Sequence, residues 1–123
     1  MPCIHSTVNR VRLIGRVQHP PRYYCTPRGR DLTRFTLATR GEGNGMVYHE
    51  CVAWGGPAFT LYDHLSGGEL LAIEGKLRYR SPASRKDTYV VVQRFNLLDR
   101  SRPTLAAVAH HPAGTYPVDH ADE

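Results

Sequence analysis

The chain has 123 residues and a mass of 13.8 kDa, which is the size of one domain with a core of its own. Apolar residues make up 41% of it and mean hydropathy is −0.43; since no apolar run approaches the ~20 residues of a membrane span, we expect a soluble protein with no membrane partner. The three cysteines form no paired motif and no signal-peptide pattern opens the chain, which argues against a disulfide-rich secreted domain and favours the cytoplasm.

The charge of the chain is uneven. All sixteen Lys and Arg residues lie between Arg10 and Arg102, and fourteen of them are Arg. Residues 1–103 hold eight of the eleven acids and carry a net +8, whereas residues 104–123 hold three acids and no Lys or Arg. Because Arg pairs with phosphate through two hydrogen bonds and stacks on bases, this balance favours a polyanionic partner, although a merely basic protein would show the same charge.

The first predicted element is a strand over residues 8–17, where apolar and polar side chains alternate with a period of two. Arg10 and Arg12 fall on its polar face, and Ile14 interrupts that face. An apolar side chain among cations on a solvent-facing surface suggests a subunit contact. Residues 18–31 follow as a predicted loop, because three prolines and a glycine interrupt them.

Two more strands and a helix come next. The patterns predict strands over residues 32–40 and 46–54, joined by a glycine-rich turn. The segment Gly55–Pro57 ends the third strand and begins a helix, since Pro is tolerated at the first helical position. Apolar residues at helical spacing extend this helix for about ten residues, and Gly67–Gly68 ends it.

A fourth strand over residues 69–80, a polar loop over residues 81–86 and a fifth strand over residues 88–98 complete the predicted order. Three strands, a helix and two strands are the layout of an OB-fold, a small Greek-key barrel. The sequence therefore predicts an all-β, five-stranded OB-fold barrel with one short helix between the third and fourth strands. We assign residues 1–102 to this domain and predict a short disordered tail over residues 103–123, where Pro, Gly, Ala and His replace any strand pattern.

No sequence motif for catalysis or metal binding is present. The chain has no nucleophile elbow, no phosphate-binding P-loop, no H-E-x-x-H and no C-x-x-C. His49 is the only histidine inside a predicted strand, on its inward face, where ordinary packing explains it. We expect no enzyme, no cofactor and no metal, while catalysis by residues that only the fold brings together stays open.

A binding surface is better supported by the pattern. Tyr48 and Trp54 share one face of the third strand, roughly 20 Å apart at ~3.3 Å per residue. Stacking a base on an aromatic ring contributes about 1–3 kcal/mol and tolerates any sequence. Core positions would explain the two rings equally well, so the pattern alone does not decide. Cations that could neutralise phosphates lie on one face of the fourth strand and in the loop beyond it: Lys76, Arg78, Arg80, Arg85 and Lys86.

The chain resembles the bacterial-type single-stranded DNA-binding proteins over about residues 8–98. The resemblance rests on four segments in the family's order: Asn9–Val17, Phe35–Thr39, Tyr48–Gly55 and Ile73–Arg80. It implies an OB-fold and a homo-oligomer, which we expect to be a tetramer rather than a dimer. It also implies sequence-tolerant binding and protection of single-stranded DNA in replication, recombination and repair, in the bacterial cytoplasm with the nucleoid.

The resemblance also implies residue roles. Tyr48 and Trp54 stand at positions of stacking aromatics, and His49 stands where the family has a subunit contact. The residues expected to contact single-stranded DNA are Tyr48, Trp54, Arg34, Arg40, Lys76, Arg78, Tyr79, Arg80, Arg85 and Lys86. The residues expected at an oligomer interface are Arg10, Arg12, Ile14 and His49.

Several positions depart from the family pattern. Pro82 stands where a further stacking Trp is common, and Glu50 stands where a cation is usual. The tail ends in Asp119–Glu123, which is acidic but lacks the Pro-Phe tip, so we expect weak recruitment of replication or repair proteins. Two binding alternatives stay open: a primosome-accessory-type OB protein that docks other proteins, often as a dimer, and an RNA-binding OB protein.

Overall fold

The computed structural model describes residues 6–81, 84–99 and 114–115. Within these residues the chain forms seven strands and one helix. In chain order the elements are β1 (Val11–Val17), β2 (Arg22–Cys25), β3 (Asp31–Arg40), β4 (Met46–Trp54), α1 (Gly56–His64), β5 (Leu70–Ser81), β6 (Ser84–Asp99) and β7 (Gly114–Thr115).

Five of the strands close into a barrel. The hydrogen-bonded order runs β1, β5, β6, β4, β3, and β3 pairs back onto β1 through Arg16–Ala38 and Val17–Leu37. All of these pairings are antiparallel except the short parallel contact between β4 and β6. With α1 between β4 and β5, this is the five-stranded OB-fold predicted from the sequence, and the fold prediction is confirmed.

The predicted loop over residues 18–31 was wrong in part, because it contains β2. This four-residue strand pairs antiparallel with β3, from Arg22 opposite Arg34 to Cys25 opposite Asp31. Flanking prolines and a turn at Gly29, whose φ is 81°, leave too few residues for a visible alternation. The result is a hairpin that widens the sheet beyond the barrel at the free edge of β3.

The predicted loop over residues 81–86 was also wrong in part. The backbones of β5 and β6 pair out to Ser81 and Ser84, so the two strands form one long hairpin that extends beyond the barrel. Of the predicted tail, Gly114–Thr115 forms the strand β7, which pairs parallel with Tyr24 and Cys25 of β2. The rest of residues 103–123 lies outside the described residues.

The barrel interior is filled by the inward faces of the strands and by α1. Phe35 and Leu37 point inward, as strand alternation predicts. Ala58 and Leu61 of α1 are buried against this barrel core. Thr33 Oγ1 donates a hydrogen bond to the Ala58 carbonyl at 2.6 Å, which ties the helix to β3. The buried residues of this cluster are Val17, Phe35, Leu37, Cys51, Ala53, Ala58, Leu61, Leu65, Leu71, Ile73, Val90 and Val92.

A second, smaller cluster packs on the outer face of the sheet. Leu32, Val52 and Tyr89 are buried there, from β3, β4 and β6. Because neighbouring residues of a strand face opposite sides, this cluster marks the outer face of β4 as the one that carries Tyr48, Glu50, Val52 and Trp54. No helix of the described part of the chain has the length and apolar character of a membrane span.

Candidate nucleic-acid interface

The outer face of β4 is the centre of the candidate interface. Tyr48 lies on it with 60% of its surface exposed, so it is not a core residue. The inward positions Cys51 and Ala53 are buried in the barrel instead. The structure thus places Tyr48 and Trp54 on one outward face, as their shared parity predicts, and offers the Tyr48 ring to solvent.

Trp54 is partly a packing residue and partly accessible, so neither of the two interpretations from the sequence, core residue or stacking ring, describes it alone. Its ring packs against the outer cluster of Leu32, Val52 and Tyr89, yet it is only partly buried. The guanidinium carbon of Arg30 lies 4.3 Å from the ring centroid. A cation at that distance is attracted by the ring's π-electrons. Arg30 therefore places a positive charge against the Trp54 ring.

Glu50 links two of the predicted DNA-binding cations. Arg34 Nη2 donates to Glu50 Oε2, and Arg80 Nη2 donates to the same oxygen at 2.7 Å. The Arg80 guanidinium carbon also lies 5.2 Å from the centroid of the Tyr89 ring. One carboxylate thus fixes cations from β3 and β5 at the centre of the interface and neutralises part of their charge.

The remaining cations border this centre. Lys76 and Arg78 are exposed on β5, opposite Val91 and Tyr89 of β6, and Arg40 is exposed at the end of β3. Tyr79 is 45% exposed, but strand alternation turns it to the other side of the hairpin from Arg78 and Arg80. The structure therefore does not bring Tyr79 together with the other aromatics. Arg85 and Lys86 belong to the β6 backbone, and their side chains lie outside the described residues.

The residues predicted at an oligomer interface fall in two places. Arg12 and Ile14 share the outer face of β1, where Ile14 is 60% exposed. Arg10 directly precedes the strand, and its Nε lies 3.1 Å from Glu74 Oε2. A cavity of about 530 Å³ runs along this face between β1, β5 and β6. His49 lies apart from it, on the inner side of β4.

His49 is half-buried on the inner side of β4, where Thr39 contacts it. Its Nε2 lies 2.9 Å from Thr39 Oγ1, a hydrogen-bonding distance across β3 and β4. Burial lowers the pKa of His49 below its ordinary value of 6.5, because the charged imidazolium loses hydration there. The side chain is thus neutral at physiological pH, which suits a packing position.

Three features of the interface were missed by sequence reasoning. The contact of Arg30 with Trp54 and the double contact of Glu50 depend on pairs that are distant along the chain. The third is the hairpin of β2, which adds Arg22 and Tyr24 to the same outer face. Strand parity on β4 was the one available signal, because it already placed Glu50 between Tyr48 and Trp54.

The described residues hold no cluster of three or more His, Cys, Asp or Glu side chains that could bind a metal ion. Cys51 is buried in the barrel, and burial raises the pKa of its thiol well above the ordinary range.

Comparison with known proteins gives a consistent family match. The family model described as single-strand binding protein family matches residues 8–98. A single-stranded DNA-binding protein of Malacoplasma penetrans is 33% identical over 88 residues, which cover 68% of this chain and 47% of that protein. Single-stranded DNA-binding protein 1 of Staphylococcus aureus is 32% identical over 91 residues, covering 69% of this chain and 54% of that protein. The chain thus spans about half the length of these relatives.

The fold match is independent of close sequence similarity. The crystal structure of the SSB domain of a Synechococcus protein superposes with a TM-score of 0.63 at 24% identity. The match covers 74% of this chain and 97% of that domain. At this identity the likeness supports the fold alone, and it agrees with the barrel described above.

Proposed function

The chain belongs to the single-strand binding protein family, and on that premise we propose that it binds single-stranded DNA with little overall sequence preference. Bases stack on Tyr48 and Trp54, and phosphates are neutralised by Arg40, Lys76 and Arg78. Arg34 and Arg80 contribute as well, once a phosphate competes with Glu50 for them. This coating protects the strand during replication, recombination and repair.

One observation carries the proposal. The outer face of β4 presents an exposed aromatic ring and a second ring under a guanidinium, and cations border both. Aromatic platforms give sequence-tolerant stacking, and cations give salt-dependent attraction to the backbone. A duplex keeps its bases stacked on each other, so it gains only the attraction between the cations and its phosphate backbone. The surface is therefore suited to single strands.

The proposal extends to assembly and location. The exposed Ile14 and the cavity beside it on β1 support a homo-oligomer, for which we expect about four chains. We place the protein in the bacterial cytoplasm with the nucleoid, as a binding protein without turnover. Its acidic residues 119–123 are proposed to recruit replication or repair proteins weakly.

A docking OB protein of the primosome-accessory type is the second candidate. The observation that favours it is Glu50, since a carboxylate bound to Arg34 and Arg80 lowers the attraction for phosphates. Such a protein would bind single strands weakly and would act as a dimer. A mass in solution of about two chains, together with weak binding of single strands, would favour this second candidate.

The test compares two exposed aromatics of equal exposure. Tyr48→Ala removes the ring on β4, and Phe59→Ala removes a ring of α1; both are 60% exposed in the wild type. We expect Tyr48→Ala to weaken oligo-dT binding by about 1–3 kcal/mol, measured by fluorescence anisotropy, while Phe59→Ala binds like the wild type. Equal binding by wild type and both folded variants would remove Tyr48 from the interface.

A further inference from the structure

Tyr89 of β6 lies within the outer face that carries the candidate interface. Only 1% of its surface is exposed, and with Leu32 and Val52 it forms the buried outer cluster. Trp54, whose ring is proposed to stack a base, packs against the same cluster. Tyr89 is therefore an additional aromatic side chain of this face, and it is covered in the free protein rather than offered to solvent.

The hydroxyl of Tyr89 is buried without a hydrogen-bond partner. Within the part of the chain that the structure describes, it is the only buried side-chain nitrogen or oxygen in this condition. Burying an unpaired hydroxyl costs free energy, and a phenylalanine at this position would fill nearly the same space without that cost. The free protein thus leaves unused a group that can both donate and accept a hydrogen bond.

Arg80 lies over the Tyr89 ring and is itself partly exposed. Its guanidinium carbon lies 5.2 Å from the ring centroid, and its Nη2 donates to Glu50 Oε2 at 2.7 Å. The side chains of Arg80 and Glu50 are 26% and 34% exposed. Because solvent reaches both members of this ion pair, a phosphate can compete with the carboxylate for the guanidinium. Such a phosphate would arrive next to the Tyr89 ring.

We propose that Tyr89 is a DNA-contacting residue that becomes accessible as the strand binds. When a phosphate takes the Arg80 guanidinium from Glu50, that guanidinium leaves its position over the ring, and the Tyr89 hydroxyl donates a hydrogen bond to the same phosphate. Every nucleotide has a phosphate, so this contact adds affinity without adding sequence preference. The inference rests on the proposed binding of single-stranded DNA and adds one residue to that interface.

The test is Tyr89→Phe, which keeps the ring and removes the hydroxyl. Binding of labelled oligo-dT to the full chain is measured by fluorescence anisotropy at about 0.05 and about 0.2 M salt. We expect the variant to bind about three- to ten-fold more weakly than wild type, as the loss of one hydrogen bond gives. Because the hydroxyl is uncharged, the factor should be the same at both salt concentrations, whereas the loss of a cation contact makes the salt dependence less steep.

The stability of the DNA-free protein gives a second readout, with the opposite sign. Removing an unpaired buried hydroxyl should raise the urea midpoint of unfolding of Tyr89→Phe above that of wild type. Tyr62→Phe is the matched control, because it makes the same change in a ring of α1, and it should bind oligo-dT like wild type. A variant that is more stable and yet binds DNA more weakly cannot owe the weaker binding to a damaged fold.

The outcomes separate this inference from the proposed function. Wild-type affinity in Tyr89→Phe overturns the contact and leaves the binding of single strands intact. Weaker binding with a less steep salt dependence shows that a cation contact was lost instead, which overturns the direct contact of the hydroxyl. A lower urea midpoint shows that the hydroxyl already has a partner in the free protein, and it overturns the inference as well. If wild type itself does not bind oligo-dT, the proposed function and this inference fail together.

Discussion

At the scale of single residues, Glu50 controls the electrostatics of the interface. Its carboxylate holds Arg34 and Arg80, which are separated from it by 16 and 30 positions along the chain. In the proposed binding of single-stranded DNA, each guanidinium exchanges this partner for a phosphate. The carboxylate therefore competes with DNA, and its charge repels the phosphates that approach.

Removing that charge should tighten the binding of single-stranded DNA. We expect Glu50→Gln to bind oligo-dT about three- to ten-fold more tightly at about 0.1 M salt, and to show a steeper salt dependence because the interface then carries one more net positive charge. Asp63→Asn makes the same charge change on the exposed surface of α1 and should have little effect. Anisotropy titrations at several salt concentrations measure both quantities; weaker binding by folded Glu50→Gln would contradict the competition.

His49 gives the stability of the fold a defined pH dependence. Its pKa is lower in the folded protein than in the unfolded chain, because burial removes hydration from the imidazolium. The unfolded chain therefore binds the proton more readily. The stabilisation is fully present above the unfolded pKa of about 6.5 and is lost as the pH falls below it.

The measurement is the free energy of unfolding in urea at about pH 8 and about pH 5. Wild type should lose more stability between the two pH values than His49→Gln, in which the titrating group is absent. The other histidines are present in both proteins, so their contributions cancel in the comparison. Equal losses in the two proteins would show that His49 does not titrate differently on folding.

The sequence could predict the direction of side chains along a strand but not their distant partners. Alternation on β4 placed Tyr48 and Trp54 on one face, and the structure has them there. The same alternation on β1 placed Ile14 on the polar face, and the structure has Ile14 exposed. The contact of Arg30 with Trp54 depends on the register of β3 and β4, which places Leu32 opposite Trp54 and which no local pattern encodes.

At the scale of elements, closure of the barrel depends on two close backbone approaches. A Cβ atom on Gly15 would overlap the carbonyl oxygen of Ala38, and one on Gly75 would overlap that of Val91. These positions lie where β1 meets β3 and where a register shift joins β5 to β6. Neither neighbouring atom can move without breaking strand pairing.

Gly75→Ala should therefore destabilise the fold by about 1–3 kcal/mol, as overpacking at a rigid site does. Gly56→Ala is the matched control, because no atom lies within 4 Å of its added Cβ. Thermal unfolding followed by circular dichroism compares the two variants with wild type. A melting temperature of Gly75→Ala equal to that of Gly56→Ala would contradict the need for this close approach.

Element prediction succeeded where strands were long and failed where they were short. The strands β3 and β4, with ten and nine residues, show clear periodicity and were predicted within one residue of their bounds. The four residues of β2 are stabilised by their ladder to β3 and by Tyr23, whose hydroxyl donates to Asp31 Oδ1. That hydrogen bond raises the pKa of Tyr23 to about 12. Such tertiary support cannot be read from four residues.

At the scale of the whole molecule, the proposed binding of DNA depends on charge and on assembly. A net +8 over residues 1–103 attracts any polyanion, so selectivity for single strands has to come from the aromatic rings. A homo-oligomer would place several copies of the interface on one particle. Once one interface has bound a long strand, the other interfaces of the particle are held near that strand. This raises their effective concentration for it.

The face of β1 is the region of the described chain that we expect to form the subunit contact. Ile14→Asp places a charge at its centre, whereas Phe59→Asp places one at an equally exposed position on α1. By light scattering, wild type and Phe59→Asp should have the mass of about four chains and Ile14→Asp a lower mass. Assembly of Ile14→Asp at the wild-type mass would show that the contact lies elsewhere.

The single tryptophan of the chain offers the most direct measurement of the central claim. Trp54 fluorescence is followed while oligo-dT or duplex DNA is added at about 0.05 and about 0.2 M salt. We predict strong quenching by oligo-dT, little by the duplex, and weaker binding at the higher salt. Absence of quenching by oligo-dT, with no binding by anisotropy, would contradict the account and would direct attention to protein docking instead.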